Sequence, residues 1–247
     1  MLQKTRMMKL YLFRLAFRIL VFLVVLFFYL TDKEHIQTLI TTQFLPWISP
    51  LRIVWLVFMV IMISHLFPGE MRSMALRKED VKFFRPEKNY SHYELLKFIQ
   101  KQNVRAWYVM LIWLSINAVF GILRLCNVID AADLFMLTVF FFLCDYICIL
   151  FFCPFQTFVM KNRCCVNCRI YDWGHFMMFT PMLFIPNFFS WSLFFTSVVV
   201  LIRWEIGYAK HPERFWFKSN KTLQCANCQD KTCQIKRKLQ GKPLKSN

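Results

Sequence analysis

Long blocks of apolar residues alternate with charged segments along the whole chain, and this alternation limits the folds that are open to it. Hydrophobic residues make up 57% of the 247 positions, whereas soluble domains contain about 45–50% apolar residues. Because each block is long enough for a helix that crosses a hydrocarbon core, the sequence predicts an all-α, polytopic helical membrane protein. Four clear spans are predicted, at about 10–30, 51–67, 107–123 and 134–153.

The last apolar block, 176–202, has two interpretations. As a single span it would place the basic tail on the opposite side of the membrane from the other basic segments. As a hairpin it turns at Ile185-Pro186-Asn187, and its two short arms cover 172–185 and 187–203. The hairpin keeps the basic segments on one side, as the positive-inside rule requires. We therefore predict the hairpin, and the choice between five and six spans stays open.

The basic residues indicate how the chain is oriented. They concentrate in four segments, 1–18, 68–106, 154–175 and 205–247. The positive-inside rule predicts that these segments, and both termini, are cytoplasmic in a multi-pass protein of the inner (cytoplasmic) cell membrane. The membrane domain is then 1–204. The loop 68–106 holds an interfacial helix that starts at the capping-box pattern Ser91-His92-Tyr93-Glu94, or that runs straight into the third span.

The net charge of +17 fits a lipid bilayer partner, because basic segments beside spans contact anionic lipid headgroups. No nucleic-acid-binding motif accompanies the charge, so we expect no nucleic-acid partner. The chain also lacks a Walker motif, a Rossmann fingerprint, a nucleophile elbow and a His-Glu-x-x-His motif. Hydrolase, kinase and nucleotide-driven pump functions therefore have no residue support.

Two cysteine-rich stretches give the strongest functional signal. The loop 154–175 contains one Cys-x2-Cys pair and the tail 205–247 contains another. Two such pairs can complete a tetrahedral shell of four thiolates around zinc or iron. The predicted metal ligands are Cys164, Cys165, Cys168, Cys225, Cys228 and Cys233, with Cys148, Cys153 and His175 as further candidates. Thiol redox chemistry and unrelated cysteines are the alternatives.

The number of cysteines indicates which cofactor they could bind. A structural zinc needs four ligands, which leaves two of the six thiols over. With Cys148 and Cys153 the candidates reach the number that two four-cysteine iron–sulfur clusters require. The motif Cys148-x4-Cys153-Pro154, at the end of a span and followed by basic residues and more cysteines, resembles the NosR/NapH-type membrane iron–sulfur proteins, whose motif is Cys-x3-Cys-Pro. The resemblance implies an iron–sulfur cofactor but assigns no individual ligand.

Asp145 is the only acidic residue inside the four clear predicted spans, and an intramembrane carboxylate is either functional or paired with another helix. We expect an electron-transfer component whose cytoplasmic iron–sulfur or iron site takes electrons from an acidic soluble donor, such as ferredoxin or flavodoxin, and passes them to a quinone or to a membrane partner subunit. The alternative is a non-enzymatic membrane protein in which zinc joins the loop to the tail, for assembly or transport. Whether there is a reaction at all stays open.

Overall fold

The computed structural model describes residues 6–41, 50–67, 73–87, 90–162 and 164–239. Within these ranges the chain is helical and contains no β-strand; an isolated bridge joins Pro86 to Asn220. The helices of this part are α1 (Arg6–Thr31), α2 (Lys33–Thr41), α3 (Pro50–His65), α4 (Met74–Arg77), α5 (His92–Leu125), α6 (Ala131–Leu150), α7 (Gly174–Phe179), α8 (Phe188–Lys210) and α9 (Cys233–Leu239).

Four helices, α1, α5, α6 and α8, are long and apolar enough to cross a membrane, and α3 is a shorter apolar helix. The all-helical prediction is therefore confirmed for the described residues, and the long helices fall in the apolar blocks. Most of the apolar surface of these helices is exposed; α1, for example, exposes Phe13 by 71% and Phe27 by 62%. Exposed apolar belts of this kind are typical of helices that face lipid.

Contacts between α1 and α6 define two ends of the bundle. The two helices run antiparallel, since the ring of Tyr11 packs at a tilt against that of Tyr146 with ring centroids 5.9 Å apart, whereas Tyr29 donates a hydrogen bond to Asp133. We call the end at which α6 finishes the cysteine end. The opposite end, where α6 begins, is the α2 end, because α2 lies there: Ala132 donates its N–H to Gln37 of α2.

The segment from Gly174 to Lys210 reverses its direction and packs against itself. The helix α7 continues as a 3₁₀ segment, Thr180–Phe184, from the cysteine end towards the α2 end, where Asn187 donates to the carbonyl of Ile40 in α2 at 2.6 Å. Asn187 also caps α8 by accepting from the N–H of Phe189. The helix α8 then returns, and α7, the 3₁₀ segment and α8 pack against one another. The turn lies at the predicted Ile185-Pro186-Asn187.

The helices α5 and α6 have ends that local residues determine. Ser91 caps α5 by accepting from the N–H of Glu94 at 3.4 Å, and α5 continues without a break to Leu125. The helix α6 ends at Leu150, three residues before the predicted end of the fourth span at Cys153. The residue before a proline avoids the helical conformation, so Cys153-Pro154 separates α6 from a short π-helical segment, Phe155–Val159.

The part of the tail that the structure describes folds back on the cysteine end. Its short 3₁₀ segments pack through Phe215 against Trp204 of α8, with ring centroids 5.2 Å apart. Asp230 accepts a hydrogen bond from the N–H of Met74 in α4 at 3.1 Å, and α9 lies against α6. The tail, the loop after α6 and α4 thus meet at one end of the bundle. Residues 240–247 of the predicted tail lie outside the described residues.

Candidate functional site

Cys148 and Cys153 form the first cysteine pair at the cysteine end. Cys148 lies in the last turn of α6, and the chain turns back after Leu150, so that the two thiols are near enough for Cys148 to lower the pKa of Cys153. The sulfur of Cys153 also accepts from the N–H of Gln156 at 3.4 Å, at the start of the π-helical segment. Amide N–H groups at the start of a helical turn favour a negative charge there.

The loop after residue 163 contributes three more cysteines. Cys165 and Cys168 are buried, and a turn joins them, in which the N–H of Cys168 donates to the carbonyl of Cys165 at 3.0 Å. Lys78, which follows the last residue of α4 and is only 1% exposed, supports this turn. Its ammonium donates to the carbonyls of Val166 and Cys168 at 3.0 and 2.5 Å. The turn is therefore held by a buried cation.

The tail helix α9 closes the site. The ammonium of Lys236 lies 3.0 Å from the sulfur of Cys165, 2.8 Å from the side-chain oxygen of Gln156 and 2.7 Å from the carbonyl oxygen of Cys148. One turn earlier, the thiol of Cys233 shares a hydrogen bond with the thiol of Cys164. The structure thus gathers six cysteines from α6, the following loop and the tail. We call Cys148, Cys153, Cys164, Cys165, Cys168 and Cys233 the cysteine cluster.

The thiols of the cluster differ in acidity. The hydrogen bond from Cys148 lowers the pKa of Cys153 to about 7, with help from the N–H of Gln156 and the charge of Lys236. Burial raises the pKa of Cys168 to about 12, and burial also raises the pKa of Cys165 although Lys236 opposes it. Of Cys153, Cys165 and Cys168, Cys153 therefore ionises most readily near neutral pH, and its residue is partly exposed.

The two remaining predicted ligands lie at the edge of this region. Cys225 is exposed and lines a surface groove together with Asn167, which lies between Cys165 and Cys168. Cys228 is half-buried, and burial raises the pKa of its thiol. The structure therefore brings both Cys-x2-Cys pairs to the same end of the bundle, while the thiols that act on each other's pKa through hydrogen bonding are Cys148 with Cys153 and Cys164 with Cys233.

The positions of the thiols and of the nearby His and Asp side chains determine whether they could hold a metal ion together. In the described ranges, no three His, Cys, Asp or Glu side chains are arranged so that they could hold a metal ion. The thiols contact one another in twos, and a lysine ammonium lies against Cys165. His175 packs edge-on against His65, with ring centroids 4.8 Å apart, and His65 contacts Asp172 at 3.0 Å. The cluster supplies thiol donors, but a shared centre would require side chains to rotate.

Asp145 has a partner on another helix. Its carboxylate accepts from Arg18 of α1 at 2.8 Å, and the Arg18 guanidinium lies 4.0 Å from the centroid of the Phe142 ring and 3.9 Å from that of Tyr146. Gly174 allows the close approach of α7, because a Cβ there would lie 2.8 Å from the Asp145 carboxylate. Asp145 thus joins α1, α6 and α7 near the cysteine end.

Sequence reasoning missed three residues that organise the site: Lys78, Gln156 and Lys236. No local pattern distinguishes the two lysines from the many other basic residues of the chain. Gln156 follows the Cys153-Pro154 break, and that break is the signal that could have pointed to it. No family model, no curated protein and no solved structure matches this chain.

Proposed function

We propose that this protein is a membrane-bound electron-transfer component whose redox centre is the Cys148–Cys153 pair. The observation that carries the proposal is the place of Cys153 just after the end of α6, where its sulfur accepts from the N–H of Gln156 at 3.4 Å and Cys148 lies near enough to lower its pKa. A thiolate next to a second thiol is the arrangement that dithiol and disulfide exchange requires. On oxidation the pair loses two electrons and two protons and forms one S–S bond; reduction reverses this step.

The two cysteines have different roles in the exchange with an acceptor disulfide. The Cys153 thiolate attacks one sulfur of the acceptor, which releases one thiolate and leaves a mixed disulfide. Cys148 passes its proton to the released thiolate and then attacks the sulfur of Cys153. The second acceptor thiolate leaves, and the Cys148–Cys153 disulfide remains. Cys153 is thus the nucleophile and Cys148 the resolving thiol.

A metal centre at the same thiols is the second candidate, and the number of gathered donors favours it. Six thiols lie at one end of the bundle, with Cys225 and Cys228 close by, and thiolates are the usual ligands of iron–sulfur clusters and structural zinc. The contact between Cys164 and Cys233 favours zinc in particular, because it already joins the loop to the tail. In this version zinc would stabilise the docked tail and carry no electrons.

The cytoplasm is the proposed location of the cysteine end. The basic loop and tail lie there, and the hairpin of α7 and α8 returns the tail to the side from which the loop starts, so that six segments cross the membrane and both termini are cytoplasmic. The positive surface would attract an acidic soluble donor. Reporter fusions at Asn247 and Asp32 test this topology; a tail reporter active only outside the cytoplasm contradicts it.

Purification without oxygen separates the candidates. Free thiols, bound metal and absorbance are measured on the protein in detergent, before and after a reductant. We expect metal-free, colourless protein that gains two thiols on reduction and titrates with a two-electron slope. The gain disappears in Cys153→Ser and persists in Cys126→Ser, a control at an exposed cysteine outside the cluster. Brown protein with absorbance at about 400 nm supports an iron–sulfur cluster instead, and stoichiometric zinc supports the structural alternative.

A further inference from the structure

A cavity of about 480 Å³ lies among α1, α2, α3, α6 and α8, and it is separate from the cysteine cluster. Its lining includes Val25 of α1, Trp55 of α3, Val139 of α6 and Leu193 of α8. The 3₁₀ segment Thr180–Phe184 contributes Met182. Cavities of about 300–1,000 Å³ with apolar walls are typical of sites for small organic ligands.

Aromatic rings form much of the wall. The ring of Trp55 packs edge-on against Phe189, with ring centroids 5.4 Å apart, and Phe58 packs edge-on against both Phe142 and Phe179 at 5.4 and 5.3 Å. All five residues line the cavity. Aromatic walls interact favourably with a planar ring through offset stacking and edge-to-face contacts, and a flexible acyl chain gains less from them.

Polar groups line the cavity towards the α2 end. They are Asp32 and His35 on the N-terminal side of α2, and Asn187 and Ser190 at the start of α8. The carboxylate of Asp32 accepts from the N–H of His35 at 3.0 Å, and the imidazole of His35 is exposed. An acidic side chain at the mouth repels the phosphate of a phospholipid, whereas an imidazole N–H can donate to a neutral carbonyl oxygen.

We propose that this cavity binds the head group of a lipid-soluble quinone. The ring would lie among the aromatic side chains, with one carbonyl accepting from His35. As a binding site the cavity stands on its own geometry; as an electron acceptor that takes the place of the acceptor disulfide, the quinone rests on the proposed function. The stoichiometry agrees, since one quinone and one dithiol give one quinol and one disulfide, with two electrons and two protons transferred. Phe142 precedes Cys148 by six residues on α6, a rise of roughly 9 Å.

Tryptophan fluorescence tests the binding. Full-length protein in nanodiscs of synthetic phosphatidylcholine is titrated with duroquinone, a fully methylated benzoquinone to which thiols do not readily add. We expect saturable quenching, and Trp55→Phe should remove most of the saturable part. Trp191→Phe is the matched control, because Trp191 is exposed on α8 and does not line the cavity. Quenching that rises linearly with duroquinone, or that is the same in both variants, overturns the proposal.

Two further variants test the site without relying on one tryptophan. His35→Ala should weaken duroquinone binding about 3- to 10-fold, the effect of losing one hydrogen bond, whereas His92→Ala, at the exposed start of α5, should not. Val139→Phe should fill the cavity and weaken binding at least as much. An unchanged affinity in both His35→Ala and Val139→Phe overturns the site.

The dithiol variant Cys153→Ser separates this inference from the proposed function. If Cys153→Ser binds duroquinone normally, and the wild-type protein shows no two-thiol redox change, the cavity is supported and the proposed function is wrong. If the thiol pair titrates as expected but duroquinone does not bind saturably, the cavity proposal fails and the proposed function remains.

Discussion

The ammonium of Lys236 lies 3.0 Å from the sulfur of Cys165, although the two residues are 71 positions apart. The same ammonium contacts Gln156 and the carbonyl of Cys148, so one tail residue touches α6, the π-helical segment and the cysteine loop. Because the amphipathic stem of a lysine can pack against apolar surface while its charged group bonds, Lys236 both docks α9 and places a positive charge among the thiols.

Replacing Lys236 should release the tail. Lys236→Gln removes the charge and cannot satisfy all three acceptors, and hydrogen bonds to charged groups contribute about 1.5–3 kcal/mol each. We expect proteolysis within 211–239 to become roughly 10-fold faster, since 1.4 kcal/mol corresponds to a factor of ten. The control is Lys218→Gln, which removes an exposed pair with Glu94 and should leave the rate within about 2-fold, as expected of a surface pair.

The acidity of Cys153 predicts how alkylation depends on pH. Thiolates react with iodoacetamide and thiols do not, so the alkylation rate of Cys153 should rise with pH and reach half its maximum near pH 7, because the pKa of this thiol is lowered to about 7. Cys148→Ala removes the donor that stabilises the Cys153 thiolate and should move the midpoint upward. The rate is read by mass spectrometry of the Cys153 peptide, and a midpoint above about pH 8.5, the value of a free cysteine, contradicts the thiolate assignment.

Lys78 should stabilise the turn between Cys165 and Cys168. Lys78→Met keeps the stem that packs near Trp204 and Phe215 but leaves two buried carbonyls without their donor. Each unsatisfied buried group costs about 1–3 kcal/mol. We expect a lower melting temperature and faster alkylation of Cys168 in the folded protein. Lys82→Met, an exposed lysine four residues later, should change neither, and equal behaviour of the two variants would argue against a supporting role for Lys78.

Asp230 makes docking of the tail dependent on pH. Burial raises the pKa of its carboxyl from 3.8 to about 6, against the N–H of Met74 and the charge of Arg77. The docked tail therefore binds more protons than the released tail between about pH 4 and pH 6, and its stability falls as the pH rises through that window.

Proteolysis of the tail can measure this effect. The tail should be cut faster at about pH 7 than at about pH 5, after correction with an unstructured peptide cut under the same conditions. Asp230→Asn keeps an oxygen that can accept from Met74 but does not ionise, so most of the pH dependence should disappear. A tail that resists proteolysis more strongly at the higher pH would reverse the predicted sign.

Local patterns in the sequence predict the helices well and the site only in part. The apolar blocks, the Ser91 cap and the Pro186 turn depend on a few neighbouring residues each. The structure has long helices in the apolar blocks, the cap at Ser91 and a change of direction at Pro186, while the number of membrane spans stays a prediction. The matched Cys-x2-Cys spacing suggested that Cys165 and Cys225 share a centre, which stays a prediction. The contacts of Cys153 depend on where α6 ends, and those of Lys236 depend on how the tail folds back, so neither can be inferred from spacing along the chain.

Replacing either Arg18 or Asp145 alone should destabilise the protein, because the remaining partner keeps an unpaired charge. Breaking a buried ion pair leaves an uncompensated charge and costs about 3–5 kcal/mol, whereas removing both charges costs much less. The side chains here are 13% and 30% exposed, so we expect the lower part of that range. Arg18→Met and Asp145→Leu should each lower the melting temperature in detergent, and the double variant should be more stable than either single variant.

Arg14→Met is the control for this comparison. Arg14 lies one turn before Arg18 on α1 but contacts the neutral hydroxyl of Tyr146 at 3.3 Å, so its loss should have a small effect. Gly174→Ala offers a second test, because its Cβ would approach the Asp145 carboxylate to 2.8 Å and should destabilise the wild-type protein. With Asp145→Leu already present, the added cost of Gly174→Ala should differ from its cost in the wild type, since residues in contact are not additive. Additive effects of Arg18→Met and Asp145→Leu would show that the two side chains do not form the pair on which α1 and α6 depend.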